Sequence, residues 1–304
     1  MSSIIIFGSL NMDQAIDMSQ LPGPGETVMA EAMRFAPGGK GANQAVSAAR
    51  MRGRVAFIGC VGDDANGTAM VESLRTEGID TESISVVEGV ATGLAVVAVD
   101  AGGQNSIMVV PGANYEVGKR ELEALKQMLS RRSTLVTQLE LPHEVTAKAL
   151  KLAHRQGART ILNAAPAADV SHMLVDVDVL VVNEVEAGQI AHERVLDIND
   201  ARAVAPRLAD KFSIAVVVTC GEEGAVVVDR TVVTMIPPFP VTAVDTVGSG
   251  DAFVGALAVA LNEGQSLPEA ARFGSAAGAA AATKLGAQES LPRRGDLAEL
   301  FGVR

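Results

Sequence analysis

The sequence predicts an α/β protein in which helices flank a central, mostly parallel β-sheet, together with a small second β-sheet. Short runs of β-branched residues alternate with helical stretches through most of the 304 residues. This alternation is typical of parallel strands joined by crossover helices. Hydrophobic residues make up 48% of the chain and charged residues 20%, so the chain can bury a sizeable core.

The predicted strands are short apolar runs, and the predicted helices lie between them. Strands are expected at 3–8, 55–60, 133–139, 160–163, 178–182 and 214–219. Helices are expected at 41–52, 65–77, 118–130, 144–156 and 200–211, and an Ala-rich run at 276–282 predicts a further closely packed helix. Ligands of such sheets bind beyond the carboxyl ends of the strands. Polar residues that follow these strands are therefore the candidates for function.

Two segments, 12–36 and 91–112, interrupt the alternation. They contain the turn-rich stretch Pro22-Gly23-Pro24-Gly25 and strand-like pieces at 94–100 and 105–110. We expect these segments to form a small antiparallel sheet that is inserted, as a lid, into a single domain spanning 1–304.

Charge and composition restrict the possible partners. The net charge of −11 argues against nucleic acid or an anionic membrane, so an anionic ligand needs a local binding site. Cys60 and Cys220 match neither a metal-binding spacing nor a disulfide framework, and we expect two buried thiols. The sequence shows no signal-peptide pattern and no apolar stretch of membrane-spanning length. These features favour a cytoplasmic protein.

The segment 245–257, with the sequence DTVGSGDAFVGAL, predicts an anion site at the start of a helix. Gly248, Ser249 and Gly250 form a turn that directs backbone N–H groups at one point, where the helix dipole adds positive charge. Asp251 lies at the mouth of the same helix. A carboxylate there makes chemical sense as the base that takes a proton from an attacking hydroxyl. The alternative is a helix cap in a glycine-rich loop. Neither a G-x-x-x-x-G-K-[ST] nor a G-x-G-x-x-G pattern occurs in the sequence.

Two other segments carry candidate binding residues. Asn11 and Asp13 follow the first predicted strand, where an amide and a carboxylate suit the hydroxyls of a sugar; an Asx turn is the alternative. The loop 37–45, with the sequence PGGKGANQA, opens a predicted helix, and its three glycines allow the backbone to approach a ligand. Asn43 can point its amide into the same cleft.

In combination, the segments 38–45 and 245–257 resemble the two signatures of the ribokinase (phosphofructokinase-B-like) family of sugar and nucleoside kinases. The resemblance covers nearly the whole chain. It also includes residues 8–13, 22–27, 61–64, 138–140, 183–187, 219–224 and 286–292. It implies a ribokinase-like fold, ATP as phosphoryl donor, and a homodimer formed through the lid.

The resemblance also implies a role for each matching residue. The implied sugar pocket consists of Asn11, Asp13, Gly39, Lys40, Asn43, Glu140 and Asp251. Asp251 is the implied base, and Gly248, Ser249 and Gly250 are the implied anion hole. The implied ATP contacts are Asn183, Thr219, Gly221, Gly224 and Gly250, while Ala276, Ala277 and Gly278 are either an adenine slot or a helix-packing surface.

Two cation sites are implied as well. Mg²⁺ is expected near Asn183 and Glu186, through water, although Glu186 taken alone is typical of a solvated helix residue. A monovalent cation, K⁺, is expected beside the anion hole, and its implied site consists of Asp245, Val247, Ala281, Lys284, Gly286 and Ser290.

The implied reaction is phosphorylation of D-ribose at O5. The acceptor remains open among ribose, 2-deoxyribose, a nucleoside and fructose, and a non-catalytic sugar or nucleotide sensor is an alternative of another class. The low aromatic content of 3%, with Tyr115 as the single tyrosine, favours a bare sugar over a nucleoside. Gly248-Ser249 and Asn163-Ala164-Ala165-Pro166 depart from the common family pattern, and both departures bear on the identity of the sugar.

Overall fold

Two β-sheets and a set of flanking helices make up the molecule, and the computed structural model describes residues 3–102 and 105–303. In chain order the strands are β1 Ser3–Phe7, β2 Asn11–Met18, β3 Ala30–Gly38, β4 Val55–Gly62, β5 Asp80–Val87, β6 Gly93–Val99, β7 Asn105–Val110, β8 Ser133–Thr137, β9 Arg159–Asn163, β10 Val179–Asn183, β11 Ala215–Thr219, β12 Ala225–Asp229 and β13 Val232–Ile236. The helices are α1 Lys40–Arg50, α2 Ala65–Thr76, α3 Lys119–Met128, α4 His143–Arg155, α5 Glu184–Ala191, α6 Ile198–Phe212, α7 Ser249–Asn262, α8 Leu267–Ala282 and α9 Arg294–Phe301.

The large sheet has nine strands in the order β13-β12-β11-β10-β9-β8-β1-β4-β5. Neighbours from β11 to β5 are parallel, and only the pairs that involve β12 and β13 are antiparallel. The mostly parallel sheet predicted from the sequence is therefore confirmed. The carboxyl ends of β1, β8, β9, β10 and β11 meet along one edge, which is where the polar motifs were expected to converge.

Strand β1 shows why this chain builds a sheet that is covered on both faces. Ile4 and Ile6 belong to a core shared with α1, α2, α7 and α8, whereas Ile5 and Phe7 belong to a second core shared with α3, α4, α5 and α6. Because successive side chains of a strand point to opposite faces, a continuous apolar run satisfies both cores.

The small sheet consists of four strands in the order β3-β2-β6-β7. The sequence predicted an antiparallel sheet, and β2 with β3 and β6 with β7 are antiparallel, but the central pair of β2 and β6 is parallel. The reason lies in the connections. Strands β2 and β6 follow β1 and β5, which run in the same direction in the large sheet, so both leave it from the same edge.

The predicted elements lie within about two residues of the observed ones at most ends, and the differences are instructive. Strand β8 ends at Thr137, so Gln138 and Glu140 lie in the loop beyond the sheet edge. Strands β5, β12 and β13 were not predicted. The hairpin of β12 and β13 turns at Arg230, a non-glycine residue with φ of 56°, so the sequence carries no glycine signal there.

The described residues also answer two smaller expectations. Cys60 and Cys220 are buried, free thiols, as expected, and burial raises the pKa of each to about 12. None of the helices in the described ranges is long and apolar enough to cross a membrane.

Candidate active site

The two glycine-rich segments meet at the carboxyl edge of the large sheet. Helix α1 begins after Gly39, which has a φ of 86°, and helix α7 begins after Gly248, which has a φ of 81°. The two helices pack against each other. Asn43 Nδ2 donates a hydrogen bond of 3.0 Å to Asp251 Oδ2. Residues 208 positions apart in sequence are thus brought into direct contact.

Asp251 is buried, with 7% of its surface exposed, and each of its oxygens accepts a hydrogen bond from an amide. Asn43 Nδ2 donates to Oδ2, and Gln44 Nε2 donates to Oδ1, both at 3.0 Å. A carboxylate oxygen has two acceptor sites, so each oxygen keeps one for a further donor. Asp251 can therefore receive a hydroxyl proton without breaking its contacts with the protein.

The start of α7 presents backbone N–H groups that the protein does not use. The N–H of Ser249 donates to the Thr246 carbonyl at 3.1 Å, which closes the turn. Within the described chain, the N–H groups of Gly248, Gly250 and Asp251 donate no hydrogen bond. Three of the four amides from 248 to 251 are therefore available for an anion, and Ser249 of the predicted anion hole contributes the turn.

The predicted sugar-pocket residues lie around the start of α1. Glu140 Oε2 accepts hydrogen bonds from the Lys40 N–H at 3.0 Å and from Ser9 Oγ at 2.5 Å. Asp13 packs so tightly on Gly38 that a Cβ atom there would lie 2.1 Å from Asp13 Oδ2. A Cβ atom at Gly39 would lie 2.7 Å from the backbone nitrogen of Asn11. The glycines thus bring the helix start against the binding side chains.

The pocket concentrates negative charge around one ammonium group. Burial, followed by the charges of Glu140 and Asp251, raises the pKa of Asp13 to about 7. Burial disfavours the charged form of Lys40, but Asp251, Glu140 and Glu186 together outweigh this effect, and the pKa of Lys40 is raised. Lys40 is therefore a cation at neutral pH, and the carboxylates around it can accept hydrogen bonds from hydroxyl groups.

Asn183 is the last residue of β10, Glu186 lies in the first turn of α5, and the two residues are hydrogen-bonded to each other. The Asn183 N–H donates to Glu186 Oε2 at 2.9 Å, and the Glu186 N–H donates to Asn183 Oδ1 at 2.8 Å, which together form a capping box. Glu186 is 7% exposed, so its interpretation as a solvated helix residue is wrong. Burial, and then the charge of Asp251, raises the pKa of Glu186 against the opposing effects of Asn183 and Lys40.

The predicted ATP-side residues are contiguous with this capping box. Thr219 pairs in register with Asn183 at the ends of β11 and β10. Gly221 and Gly224 follow, with φ values of 49° and 101°. Ala276 and Ala277 are fully buried in the core of α7 and α8, so they form a helix-packing surface. Gly278 alone of the three is partly exposed, and a Cβ atom there would lie 3.1 Å from the Ser249 carbonyl oxygen.

The residues predicted for a monovalent cation lie on the loop before α7, at the end of α8 and on the loop that follows α8. Asp245 Oδ2 accepts a hydrogen bond from the Gly286 N–H at 2.9 Å, and Asp245 Oδ1 accepts one from the Val247 N–H at 3.0 Å. The Ala281 carbonyl accepts from the Lys284 N–H at 3.1 Å. Ser290 is buried and donates to the Ala287 carbonyl at 2.8 Å. In the described ranges, no group of three or more His, Cys, Asp or Glu side chains could hold a metal ion by itself.

Sequence reasoning gave no role to several residues that hold the site together. Asn114 Nδ2 donates to Asn11 Oδ1 at 2.8 Å, and Asn114 Oδ1 accepts from the Leu10 N–H at 2.8 Å. Asn114 therefore fixes the orientation of the Asn11 amide. Ser9, Gln44 and Gln138 lie within the segments 8–13, 37–45 and 138–140. Their position next to predicted site residues could have indicated a supporting role. Asn114 had no signal, because it lies about 100 residues from its partner in an unmatched segment.

Comparison with known proteins agrees with this geometry. A profile of the pfkB family of carbohydrate kinases matches residues 1–294. The ribokinase of Haemophilus influenzae is 37% identical over 300 residues, covering 98% of each chain. The crystal structure of ribokinase from Thermotoga maritima superposes with a TM-score of 0.89 at 34% identity, covering 99% of this chain and 100% of that one. The structure of Arabidopsis thaliana ribokinase complexed with ribose and ATP gives a TM-score of 0.88 at 29% identity, covering 98% of each chain. This chain belongs to the pfkB family of carbohydrate kinases.

Proposed function

We propose that this protein transfers the γ-phosphoryl group of ATP to O5 of D-ribose. The observation that carries the proposal is the position of Asp251, a buried carboxylate beside three unused backbone N–H groups and near enough to Asp13 for its charge to raise the pKa of Asp13. An acceptor hydroxyl and a phosphoryl group can be held there together. The membership of the chain in a carbohydrate kinase family, and its similarity to ribokinases over nearly its whole length, support the same reaction.

In the proposed mechanism, Asp251 takes the proton of the attacking hydroxyl through the open acceptor sites of its oxygens. The amides of Gly248, Gly250 and Asp251 stabilise the charge that spreads over the equatorial oxygens of the phosphoryl group. Because these donors have no hydrogen-bond partner in the described chain, no existing contact has to break as the charge develops.

Sugar recognition is proposed to rest on complementary donors and acceptors. Asp13 and Glu140 accept hydrogen bonds from hydroxyl groups, and Lys40 and the Nδ2 group of Asn11 donate to hydroxyl oxygens. Asn114 already satisfies Asn11 Oδ1, which leaves the Nδ2 group of Asn11 as the free donor. No aromatic side chain takes part in the described site, which suits a small polar sugar.

Mg²⁺ is proposed to be held near Asn183 and Glu186 through water. When bound with ATP, it neutralises charge on the β- and γ-phosphates. Glu186 suits a contact with Mg²⁺ through water, because each of its oxygens accepts one hydrogen bond from Asn183 and keeps a second acceptor site for a water molecule. A Glu186→Gln variant should raise the Mg²⁺ concentration required for half-maximal rate, and an unchanged requirement would exclude this position.

K⁺ is proposed to bind between the loops that carry Asp245 and Gly286. The carboxylate of Asp245 is held in place by two N–H groups, and each of its oxygens keeps an acceptor site toward the cleft between the loops. Contacts across this cleft reach the start of α7, since Gly248 packs against Ala287. We expect a bound cation to order the 245–248 turn and so to raise the rate.

The small sheet is proposed to act as a lid and as a dimer contact. Asp13 lies on the face of β2 that covers the site, so Gln14 and its row neighbours face away from it. Phe35, Val96 and Met108 lie in register on that outer face, and Phe35 and Met108 are exposed. A second copy can cover this row. Sedimentation should show a dimer that dissociates in a Phe35→Ser, Met108→Ser variant, whereas a monomeric parent protein would exclude the contact.

The cytoplasm is the proposed compartment, because ATP is available there and a reducing environment suits two free thiols. Cell fractionation with an antibody against the chain tests this assignment, and recovery outside the cytoplasmic fraction would contradict it.

The experiment that tests the reaction is ADP release from Mg-ATP with D-ribose, 2-deoxyribose, adenosine or fructose, each with and without K⁺. We expect ribose to give the highest kcat/KM and K⁺ to raise the rate. A preference for another acceptor would keep Asp251 as the base and overturn the sugar assignment. Tight sugar or ATP binding without turnover would favour the non-catalytic sensor.

A further inference from the structure

Three buried amide side chains form a connected chain beneath Asp251. Gln44 comes from α1, Gln138 from the loop after β8, and Asn163 from the end of β9. Their exposed fractions are 0%, 1% and 8%. None of them is among the residues to which the proposed function gives a role in binding sugar, ATP or a cation, so their burial needs a separate explanation.

The hydrogen bonds of this chain have a fixed direction. The Val181 carbonyl of β10 can only accept, and Asn163 Nδ2 donates to it at 3.1 Å. Asn163 Oδ1 therefore faces Gln44 and accepts from Gln44 Nε2 at 3.0 Å. On the other side, Gln138 Nε2 donates to Gln44 Oε1 at 2.6 Å. A backbone carbonyl thus determines which way the Gln44 amide points.

The remaining hydrogen of Gln44 Nε2 is directed at Asp251 Oδ1, 3.0 Å away. If the Gln44 amide were reversed, its oxygen would face two acceptors, Asp251 Oδ1 and Asn163 Oδ1, and its nitrogen would face the Gln138 donor. A buried polar group without a partner costs about 1–3 kcal/mol. Reversal is therefore excluded, and Gln44 donates permanently to Asp251.

We propose that Gln44 is a positioning residue that fixes the carboxylate plane of Asp251 for proton transfer, and that Asn163, anchored by the Val181 carbonyl, orients Gln44. This inference rests on the proposed role of Asp251 as the base. Asn43 holds the other oxygen, but its own Oδ1 is buried without a partner and its side chain belongs to the proposed sugar pocket. Gln44 has no such second task, because all of its donors and its acceptor are committed to protein groups.

The test compares Gln44→Met, which keeps the length of the side chain and removes its hydrogen bonds, with Asn163→Leu and with the double variant. Outer contacts to catalytic groups typically contribute about 10- to 100-fold to activity. We expect Gln44→Met to lower kcat by about that factor, with KM for sugar and ATP within roughly twofold of the parent. Asn163→Leu should lower kcat less, because Gln44 itself remains and can still donate to Asp251.

The double variant distinguishes positioning from a general loss of packing. If Asn163 acts through Gln44, the kcat of Gln44→Met, Asn163→Leu should equal that of Gln44→Met alone. Multiplicative losses in kcat, or a Gln44→Met variant with the parent kcat, would overturn the proposal. Glu121→Met is the matched control, since it removes another buried polar side chain, bonded to Ser85 in a different part of the fold, and should lower the free energy of unfolding without changing kcat.

Two further measurements keep the outcomes separable. If Gln44→Met does not fold, Gln44→Leu removes the same hydrogen bonds with a smaller apolar side chain, and the same loss of kcat is expected. Asp251→Asn is measured in parallel. Normal turnover of Asp251→Asn would overturn the proposed base, whereas loss of turnover there with a normal Gln44→Met rate would overturn only the positioning role.

Discussion

Helices α1 and α7 begin in the same way but treat their first amides differently. Each starts after a glycine with positive φ and has no side-chain cap at that glycine. In α1, the Lys40 N–H donates to Glu140, the Gly41 N–H to Ser9 Oγ and the Ala42 N–H to the Ser9 carbonyl. In α7, the amides of Gly250 and Asp251 have no partner within the described chain.

This difference separates two chemical tasks that look alike in sequence. At the start of α1 the protein uses the amides itself, so we expect a ligand to contact the side chains around that helix start. The open helix start of α7 offers its own amides to an anion. A glycine-rich turn before a helix is therefore not in itself an anion site, because the amides count only when the protein leaves them free.

The largest effect is expected from Asp251→Asn, which changes the open helix start. The amide cannot take the hydroxyl proton, so we expect kcat to fall by about 10³- to 10⁴-fold while sugar affinity changes little. Steady-state rates and calorimetric titration with ribose, without ATP, measure the two quantities.

Asp200→Asn is the matched control, because Asp200 is a first-turn carboxylate of α6, a helix with a side-chain cap. Its kcat should equal that of the parent. If Asp251→Asn retains a near-normal rate, the open helix start binds phosphate only and the base must be sought elsewhere.

The contrast between the helix starts also shows how far the sequence could be interpreted. The parallel sheet was predictable because apolar runs such as Ile4-Ile5-Ile6-Phe7 are intrinsic to buried strands. Asp251 at the mouth of one helix and Asn43 in the first turn of another were predicted from the residues themselves, and the resemblance supplied their implied roles. An anion site at this turn was predicted, but which of its amides stay free was not, because their availability depends on which distant groups approach. Ser9 and Glu140 accept from the first amides of α1, whereas among residues 3–102 and 105–303 no group accepts from the amides of Gly250 and Asp251.

The same limit applies to the charges and to the supporting side chains. A sequence shows Asp13 and Glu140 as acidic residues about 130 positions apart, but only the burial of Asp13, together with the charges of Glu140 and Asp251, raises the pKa of Asp13 to about 7. The alternation of the lid segments indicated strands, yet the parallel pairing of β2 with β6 followed from the direction of β1 and β5. Long-range contacts of this kind leave no local pattern.

The second prediction concerns Asp13, beside the start of α1, and the free energy of unfolding that its burial costs. The folded pKa of Asp13 is about 7, against an ordinary value of 3.8. The folded protein therefore binds an extra proton between these values, so stability falls as pH rises through this window, and the loss is complete above pH 7. Asp13→Asn removes this loss. We expect a higher free energy of unfolding at pH 8, by on the order of 4 kcal/mol at most, and a much smaller change at pH 4.

Denaturant unfolding without sugar, at both pH values, measures this effect. Asp17→Asn serves as the control for removal of one negative charge, since Asp17 lies on the same strand and is partly exposed, 3.0 Å from Arg34. A gain that is equal at pH 4 and pH 8 would mean that Asp13 is not held at a raised pKa. The Asp13→Asn variant should also bind ribose more weakly, because it loses an acceptor for hydroxyl groups.

The smallest effect, and the most direct comparison, comes from adding one methyl group to each helix start. At Gly39, φ is 86° and ψ is 135°, and a Cβ atom would lie 2.7 Å from the Asn11 nitrogen. We expect Gly39→Ala to lower the free energy of unfolding by about 2–3 kcal/mol.

At Gly250, a Cβ atom meets nothing within 4 Å, so Gly250→Ala should leave stability within about 1 kcal/mol of the parent. Its methyl group would nevertheless stand beside the free amides and should raise KM for ATP. Thermal unfolding and ATP kinetics on both variants test the pair. If Gly250→Ala instead lost stability and kept its KM for ATP, the start of α7 would be a structural turn like that of α1, and the phosphoryl group would have to bind away from it.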